Sequence, residues 1–226
     1  MTKQVLVTAT NVNRTFLIGS EEVHAVRNVS IEIESGKLLA ITGRSGSGKT
    51  TLLNLLAGLD IPTSGTVMFE GQDLAKRSEA ELTELRRHRI GFVFQSFGLL
   101  PLLSAYENVE LPLRIARWDR AERHRRTERC IEQVGLGARA KHRPYELSGG
   151  EVQRLAIARA LVHQPSLILA DEPTGELDLA TGQGIFKLLK DISSLENVGI
   201  VVATHDMAMA SIADEVKNIS DGSFSS

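Results

Sequence analysis

Gly43-Arg44-Ser45-Gly46-Ser47-Gly48-Lys49-Thr50 fits the spacing G-x-x-x-x-G-K-[ST], and the chemistry such a run performs is phosphate binding. Glycines let backbone N–H groups converge on phosphate oxygens without Cβ clashes. A helix beginning at the end of the run would aim its free N–H groups and partial positive charge at the same anion. Lys49 would place a cation on the β and γ phosphates, and the Thr50 hydroxyl is suited to ligate Mg2+. Farther along, Leu167-Ile168-Leu169-Ala170 runs into Asp171-Glu172. Ligands of parallel sheets sit beyond the carboxyl ends of strands, so these acids should lie near the phosphates. Asp171 would reach Mg2+, directly or through its water shell. Glu172 would orient and polarise an attacking water as general base. A third segment, Ser148-Gly149-Gly150-Glu151, precedes a helix carrying Leu155, Ile157 and Leu161. It reads as a second anion-binding helix terminus, about a hundred residues from the first.

These groups need a scaffold, and the apolar pattern predicts one. Val5, Val7 and, after a slip, Val12 read as a strand, while Val29, Ile31 and Ile33 alternate with polar residues as a half-buried strand does. Leu38-Leu39-Ala40-Ile41 is a continuous apolar run suited to burial on both faces. It enters the Gly-rich turn, and Leu52, Leu53, Leu55, Leu56 and Leu59 then recur at helical spacing with Gly58 as a stop. Val67–Phe69, Ile90–Phe94 and Gly199–Ala203 are further strands. Ile185, Leu188, Leu189, Ile192 and Leu195 form a helical stripe. From about Tyr106 to Arg143 the chain is Arg-rich, lacks a strand pattern and reads as a helical insertion. The sum is an α/β protein: a parallel-sheet core, an antiparallel N-terminal part and a helical subdomain.

With these elements in place the chain resembles the ATP-binding-cassette (ABC) ATPases, and the resemblance covers essentially its whole length. Leu147-Ser148-Gly149-Gly150-Glu151 is similar to that family's signature motif. Gln95, after Val93-Phe94, resembles the Q-loop glutamine. Gly175-Glu176-Leu177-Asp178 resembles the D-loop, and His205 in Ala203-Thr204-His205-Asp206 the switch histidine. Phe16 sits where the family places an aromatic against adenine, the plainer alternative being a core position.

The resemblance implies a P-loop NTPase fold with a RecA-like core, residues 1–95 and 164–226, around a helical subdomain, 96–163, within one domain. It implies ATP and Mg2+ as cofactors. Nucleotide contacts would come from Phe16, residues 43–51 including Thr51, and, from a second subunit, Ser148, Gly149, Gly150, Glu151 and Asp178. Thr50, Gln95 and Asp171 would serve Mg2+; Glu172, Gln95 and His205 would serve hydrolysis. Two subunits would pair head to tail as a homodimer with two ATPs between them, one capping the γ-phosphate held by the other. His205 would contact that phosphate, and Gln95 would sense it and link to the helical subdomain.

Phe92 to Pro101, Glu107-Asn108-Val109-Glu110-Leu111-Pro112-Leu113 and Ala170 to Gly175 narrow the resemblance to the lipoprotein-release, macrolide-export and cell-division subgroup. Its members work with mechanotransmission permeases. Three residues depart from the usual pattern: Val152 for Gln, Glu176 for Asn and Phe16 for Tyr. The expected effect of Glu176 is on dimer affinity and turnover. The apolar loop from Phe97 to Leu103 is the candidate coupling groove. Arg114, Arg117, Arg120, Arg123, Arg125, Arg126, Arg129, Arg139 and Arg143 read either as a solvated helical face or as a contact with permease or anionic lipid.

Composition bounds these expectations. The chain has 226 residues, 42% hydrophobic and 24% charged, with 26 Lys plus Arg against 28 Asp plus Glu and a net charge of −2. That excludes disordered, collagenous and disulfide-scaffold proteins and argues against a bulk grip on nucleic acid. A lone Cys130 forbids an internal disulfide. No run approaches the length of a membrane span, and MTKQVLVTAT has too little apolar character for a secretory signal. The expectation is a peripheral subunit on the cytoplasmic face of the cell membrane, with no domain appended at its C-terminus and its permease on another chain. The rivals are a permease-independent ABC ATPase acting on DNA or ribosomes, and a nucleotide sensor without turnover. Neither a long coiled coil nor a second cassette is present for the former, and Glu172 and His205 argue against the latter.

Overall fold

The computed structural model describes residues 4–225; the first three residues of the opening decapeptide lie outside that range, and from Val5 it is strand. β1 (Val5–Ile18) and β2 (Glu21–Glu34) form a hairpin closed by Gly19-Ser20, with Gly19 at φ +65°. A two-residue loop fixes the register: Ile18 faces Glu21, Leu17 faces Glu22 and Phe16 faces Val23. The slip expected before Val12 is a register shift between Ala9 and Val12, and Val29, Ile31 and Ile33 point inward.

β3 (Leu38–Thr42) is buried at every residue. The phosphate loop follows, then α1 (Lys49–Leu56). α1 ends as the sequence predicts: Gly58 takes φ +61°, and Gly58 and Leu59 donate back to the carbonyls of Leu55 and Asn54. That turn carries Leu59 off the helical stripe; it is 51% exposed, so its expected place in the core is corrected. β4 (Ser64–Phe69) and β5 (Gln72–Asp73) complete an antiparallel sheet in the order β2-β1-β4-β5.

α2 (Glu79–Arg89) leads into β6 (Ile90–Val93). The stretch from Tyr106 to Gln133 is helical as expected, while from Val134 to Arg143 the chain forms turns and one 3-10 turn, Gly137–Arg139. α3 (Ala105–Ile115) opens on a Ser104–Glu107 capping box, and α4 (Arg120–Gln133) is capped by Asp119. Part of its arginine content is internal. Arg126 is buried and donates to the Leu161 and Val162 carbonyls; Arg123 pairs with Glu110 and Arg129 with Glu196.

α5 (Gly149–Leu161), β7 (Leu167–Asp171), α6 (Leu179–Leu195) and β8 (Gly199–Thr204) follow, then α7 (Met207–Ala210), β9 (Glu215–Ser220) and β10 (Ser223–Phe224). The second sheet runs β10-β9-β3-β8-β7-β6, parallel throughout except for β10.

Period-two alternation divides the core between the faces of this sheet. Leu39, Ile41, Leu167, Leu169 and Val201 pack with the α1 leucines and the antiparallel sheet. Leu38, Ile168, Ile200 and Val202 pack with Ile157 and Leu161 of α5, Ile185, Leu189 and Ile192 of α6, and Val109 and Leu113 of α3. Leu195, expected on the α6 stripe, is 78% exposed at the helix end, and Phe186 fills the core instead. Among the described residues no helix is long and apolar enough to cross a membrane.

His163, behind β6, sets a pH dependence. It is buried, with one ring nitrogen 3.2 Å from the Ile90 carbonyl and Nδ1 buried without a partner. Burial drives its pKa down to about 4. The unfolded chain, with an imidazole pKa of about 6.5, therefore binds the extra proton between these values. Stability is complete above about pH 6.5 and falls as pH drops towards 4. We expect about 2 kcal/mol to be lost between pH 7 and pH 5 in urea unfolding. His163→Gln should flatten that slope; an unchanged slope would dismiss this histidine as its source.

Candidate functional site

The carboxyl ends of β3, β7 and β8 place the phosphate loop, the acid pair and His205 around one cleft of about 800 Å³. Backbone geometry builds the loop. Gly48 has φ +103°, and a Cβ there would stand 2.1 Å from the Ala25 carbonyl oxygen; one on Gly43 would stand 2.4 Å from that of Ile219. Only glycine fits at either position. Lys49 is buried; its ammonium donates to the carbonyls of Gly43 and Arg44 at 2.8 and 3.0 Å and lies 3.4 Å from Glu172 Oε1. The loop thus holds its cation on two backbone oxygens and one carboxylate, each of which a phosphate could replace.

Glu172 stands one residue past β7 in the left-handed region, φ +47°, its N–H donating to the Ala203 carbonyl at 2.9 Å. A non-glycine residue held there stores strain of order 1 kcal/mol or more. His205 Nδ1 lies 2.9 Å from Glu172 Oε2. The carboxylate accepts, so Nδ1 carries the proton in this arrangement. Gln95 follows β6 on the rim of the same cleft.

The Thr50 hydroxyl donates to Asp171 Oδ2 at 2.7 Å, while Asp171 Oδ1 is buried without a partner. An orphaned carboxylate oxygen beside a hydroxyl is a donor set that suits a hard cation. Among the described residues no three His, Cys, Asp or Glu side chains gather as a metal cage. A cation here would take its other ligands from phosphate and water, which is how Mg2+ is ordinarily held.

The remaining sequence candidates lie elsewhere. Ser148 caps α5, its N–H and hydroxyl both donating to Glu151 Oε2 at 2.8 Å. The backbone and hydroxyl bonds from Ser148 hold the Glu151 carboxyl below its ordinary pKa. Asp178 caps α6 through the Thr181 hydroxyl and N–H, which lower its pKa likewise. Ser148, Gly149, Gly150, Glu151 and Asp178 do not line the cleft.

Phe16 is half-buried and outside the cleft lining, its ring under the Arg14 guanidinium at 4.4 Å. Its cross-strand neighbour Val23, with His24 and Ala25, lines the cleft beside the loop. Those three were missed by sequence reasoning; the signal was the Gly19-Ser20 turn, whose register sets Val23 opposite Phe16.

The family model described as ABC transporter matches residues 26–175. The lipoprotein-releasing system ATP-binding protein LolD of Myxococcus xanthus (strain DK1622) is 45% identical over 205 residues, 91% of this chain and 92% of its own length. The dimeric structure of MJ0796, a bacterial ABC transporter cassette, aligns with TM-score 0.88 at 42% identity, covering 98% of this chain and 97% of that one. The dimeric post-hydrolysis state of that cassette, bound to ADP and Pi, aligns with TM-score 0.87 at the same identity and coverage. The cbiO1 protein of Clostridium perfringens, part of the ABC transporter complex cbiONQ, aligns with TM-score 0.89 at 28% identity, covering 98% of this chain and 87% of that one.

Proposed function

The chain belongs to the ABC transporter family as an ATP-binding, ATP-hydrolysing cassette, and we propose that it acts as a head-to-tail homodimer driving a permease on a separate chain. The observation that carries this reading is the separation of its two anion-binding turns. The Lys49 loop shares a cleft with Glu172, while the Ser148 turn lies outside it. One copy leaves the γ-phosphate uncapped; two copies related by a two-fold axis complete both sites equivalently.

In that assembly residues 43–51 hold the phosphates, with adenine beside Val23 and Phe16. Ser148, Gly149 and Gly150 of the partner cap the γ-phosphate, adding a second helix terminus to Lys49 around a highly charged group. Thr50, Asp171 and Gln95 would hold Mg2+, which supplies charge neutralisation on the β and γ oxygens. Glu172 takes the proton of the attacking water. His205 orients Glu172 through the bond seen here and faces the γ-phosphate. Loss of that phosphate removes the contacts shared by the two subunits, and the dimer opens. The relative named as the ATP-binding protein of a lipoprotein-releasing system supports work of the lipoprotein-release kind, and a permease on a separate chain would hold this subunit peripherally on the cytoplasmic face of the membrane. It does not favour a DNA- or ribosome-acting ATPase.

The test mixes differently tagged Lys49→Ala and Ser148→Arg subunits. A shared-site heterodimer has one site with both lesions and one with neither, so it should occlude one ATP while each parental homodimer occludes none. No occluded ATP in the heterodimer, the result if each site were built within one chain, would contradict the shared site.

A further inference from the structure

Two exposed side chains near the site make no ion pair among the described residues: Arg44 in the phosphate loop and Glu176 in the loop after β7. Within one chain they serve different neighbourhoods. The Glu176 loop is packed on the start of α5: a Cβ on Gly149 would lie 3.3 Å from Leu177 Cδ2, and one on Gly150 only 2.6 Å from Thr181 Cγ2. Wherever the α5 terminus docks, residues 175–178 must travel with it. In the head-to-tail homodimer, on which this inference rests, that terminus meets the partner's phosphate loop. Glu176 then arrives beside the same loop.

The receiving surface has the right charge. Behind the phosphate loop lies a second cavity, about 500 Å³, bounded by Arg44 to Ser47 and by Asn218 to Asp221. Arg44 lines both this cavity and the phosphate cleft; it is the one Lys or Arg side chain in the second cavity, and Asp221 leaves the rest unattractive to an acid. Of the two acids in the arriving loop, Asp178 is committed to capping α6, so Glu176 is the free one. A carboxylate driven into an interface costs desolvation unless it is paired, and a guanidinium fork pairs with it bidentately. We propose that in the ATP-closed dimer Glu176 of each subunit forms an ion pair with Arg44 of the other, giving two symmetry-related bridges.

The bridge would also reach the chemistry of its own subunit. The Gly175 N–H donates to the Glu172 carbonyl at 3.1 Å, and a Cβ on Gly175 would lie 3.1 Å from Gln95 Nε2. Tension on Glu176 therefore falls on a segment holding the general base and the rim glutamine.

The experiment uses the full chain carrying Glu172→Gln, with ATP-dependent dimerisation followed by sedimentation. Glu176→Arg and Arg44→Glu should each weaken dimerisation about tenfold or more, and the two together should recover to within about threefold of the parent. Binding of a fluorescent ATP analogue to the dilute protein separates any loss of nucleotide affinity in Arg44→Glu. Should that variant lose ATP, a second measurement decides: Arg44→Cys subunits mixed with Glu176→Cys subunits and a short bismaleimide. An ATP-dependent cross-link between subunits is expected, with Cys130 buried and silent. Additive losses in the swap, or a closed dimer with no cross-link, would overturn the bridge while leaving the dimer intact. A parent that stays monomeric in ATP would instead remove the dimer on which the bridge depends.

Discussion

Glu172→Gln should bind ATP with an affinity within about threefold of the unaltered protein, yet hydrolyse it between 100-fold and about 10,000-fold more slowly. The asymmetry follows from where Glu172 sits. Its carboxylate meets Lys49 at 3.4 Å and His205 at 2.9 Å, and the loop's glycine geometry is set by Ala25 and Ile219 instead. An amide of the same shape keeps an oxygen that accepts hydrogen bonds and cannot take the proton from water. The φ of +47° at this residue is a backbone property that the substitution leaves in place. With the γ-phosphate preserved, the contacts shared across two subunits persist, so a stable dimer should accumulate in ATP. Phosphate release and size-exclusion chromatography read the two effects separately. Hydrolysis at the unaltered rate would remove Glu172 as the base.

What could be read in advance divides along physical lines. Residues 43–50 were legible because phosphate binding constrains both residue type and spacing, and because an apolar strand and a leucine-striped helix bracket them. Asp171 and Glu172 were legible for the same reason, as acids closing an otherwise apolar strand. β9 was not: Glu215-Val216-Lys217-Asn218-Ile219-Ser220 buries only Ile219, as suits a strand near the sheet edge, and carries no periodic signal. Leu59 and Leu195 show the opposite failure. Each continues a helical spacing, but Leu59 falls after the Gly58 stop, and Leu195 is the last residue of α6, exposed at the helix end. The cleft contribution of Val23, His24 and Ala25 depends on hairpin register, a long-range property that local composition does not carry. In the proposed homodimer the relation between the Ser148 turn and the Lys49 loop is between copies. Residue patterns offered two candidate anion-binding turns, and only the family resemblance implies that they share one site.

Lys49→Ala should produce the complementary defect, a loss of ATP affinity of about 100-fold or more, since each charge-assisted bond contributes roughly 1.5–3 kcal/mol. Lys49 is 6% exposed, and its ammonium is shared among the Gly43 and Arg44 carbonyls and Glu172. Removing it deletes the buried cation facing the phosphates and leaves Glu172 as an uncompensated negative charge beside them. Lys49→Arg should fail to restore tight binding, because a planar fork cannot occupy the place of a compact point charge threaded between two carbonyls. The fold should survive, since α1 is anchored by Leu52, Leu53, Leu55 and Leu56 in the core. Calorimetric titration with ATP measures the loss, and unchanged affinity would undo the phosphate-loop reading. The two variants thus separate steps that the intact protein performs together. Glu172→Gln should bind, close and stall, whereas Lys49→Ala should neither bind tightly nor close. If closure requires the γ-phosphate to be gripped from both sides, Lys49→Ala combined with Glu172→Gln must behave as Lys49→Ala alone. A dimer formed in ATP by that double variant would show that closure depends on something other than the Lys49 grip.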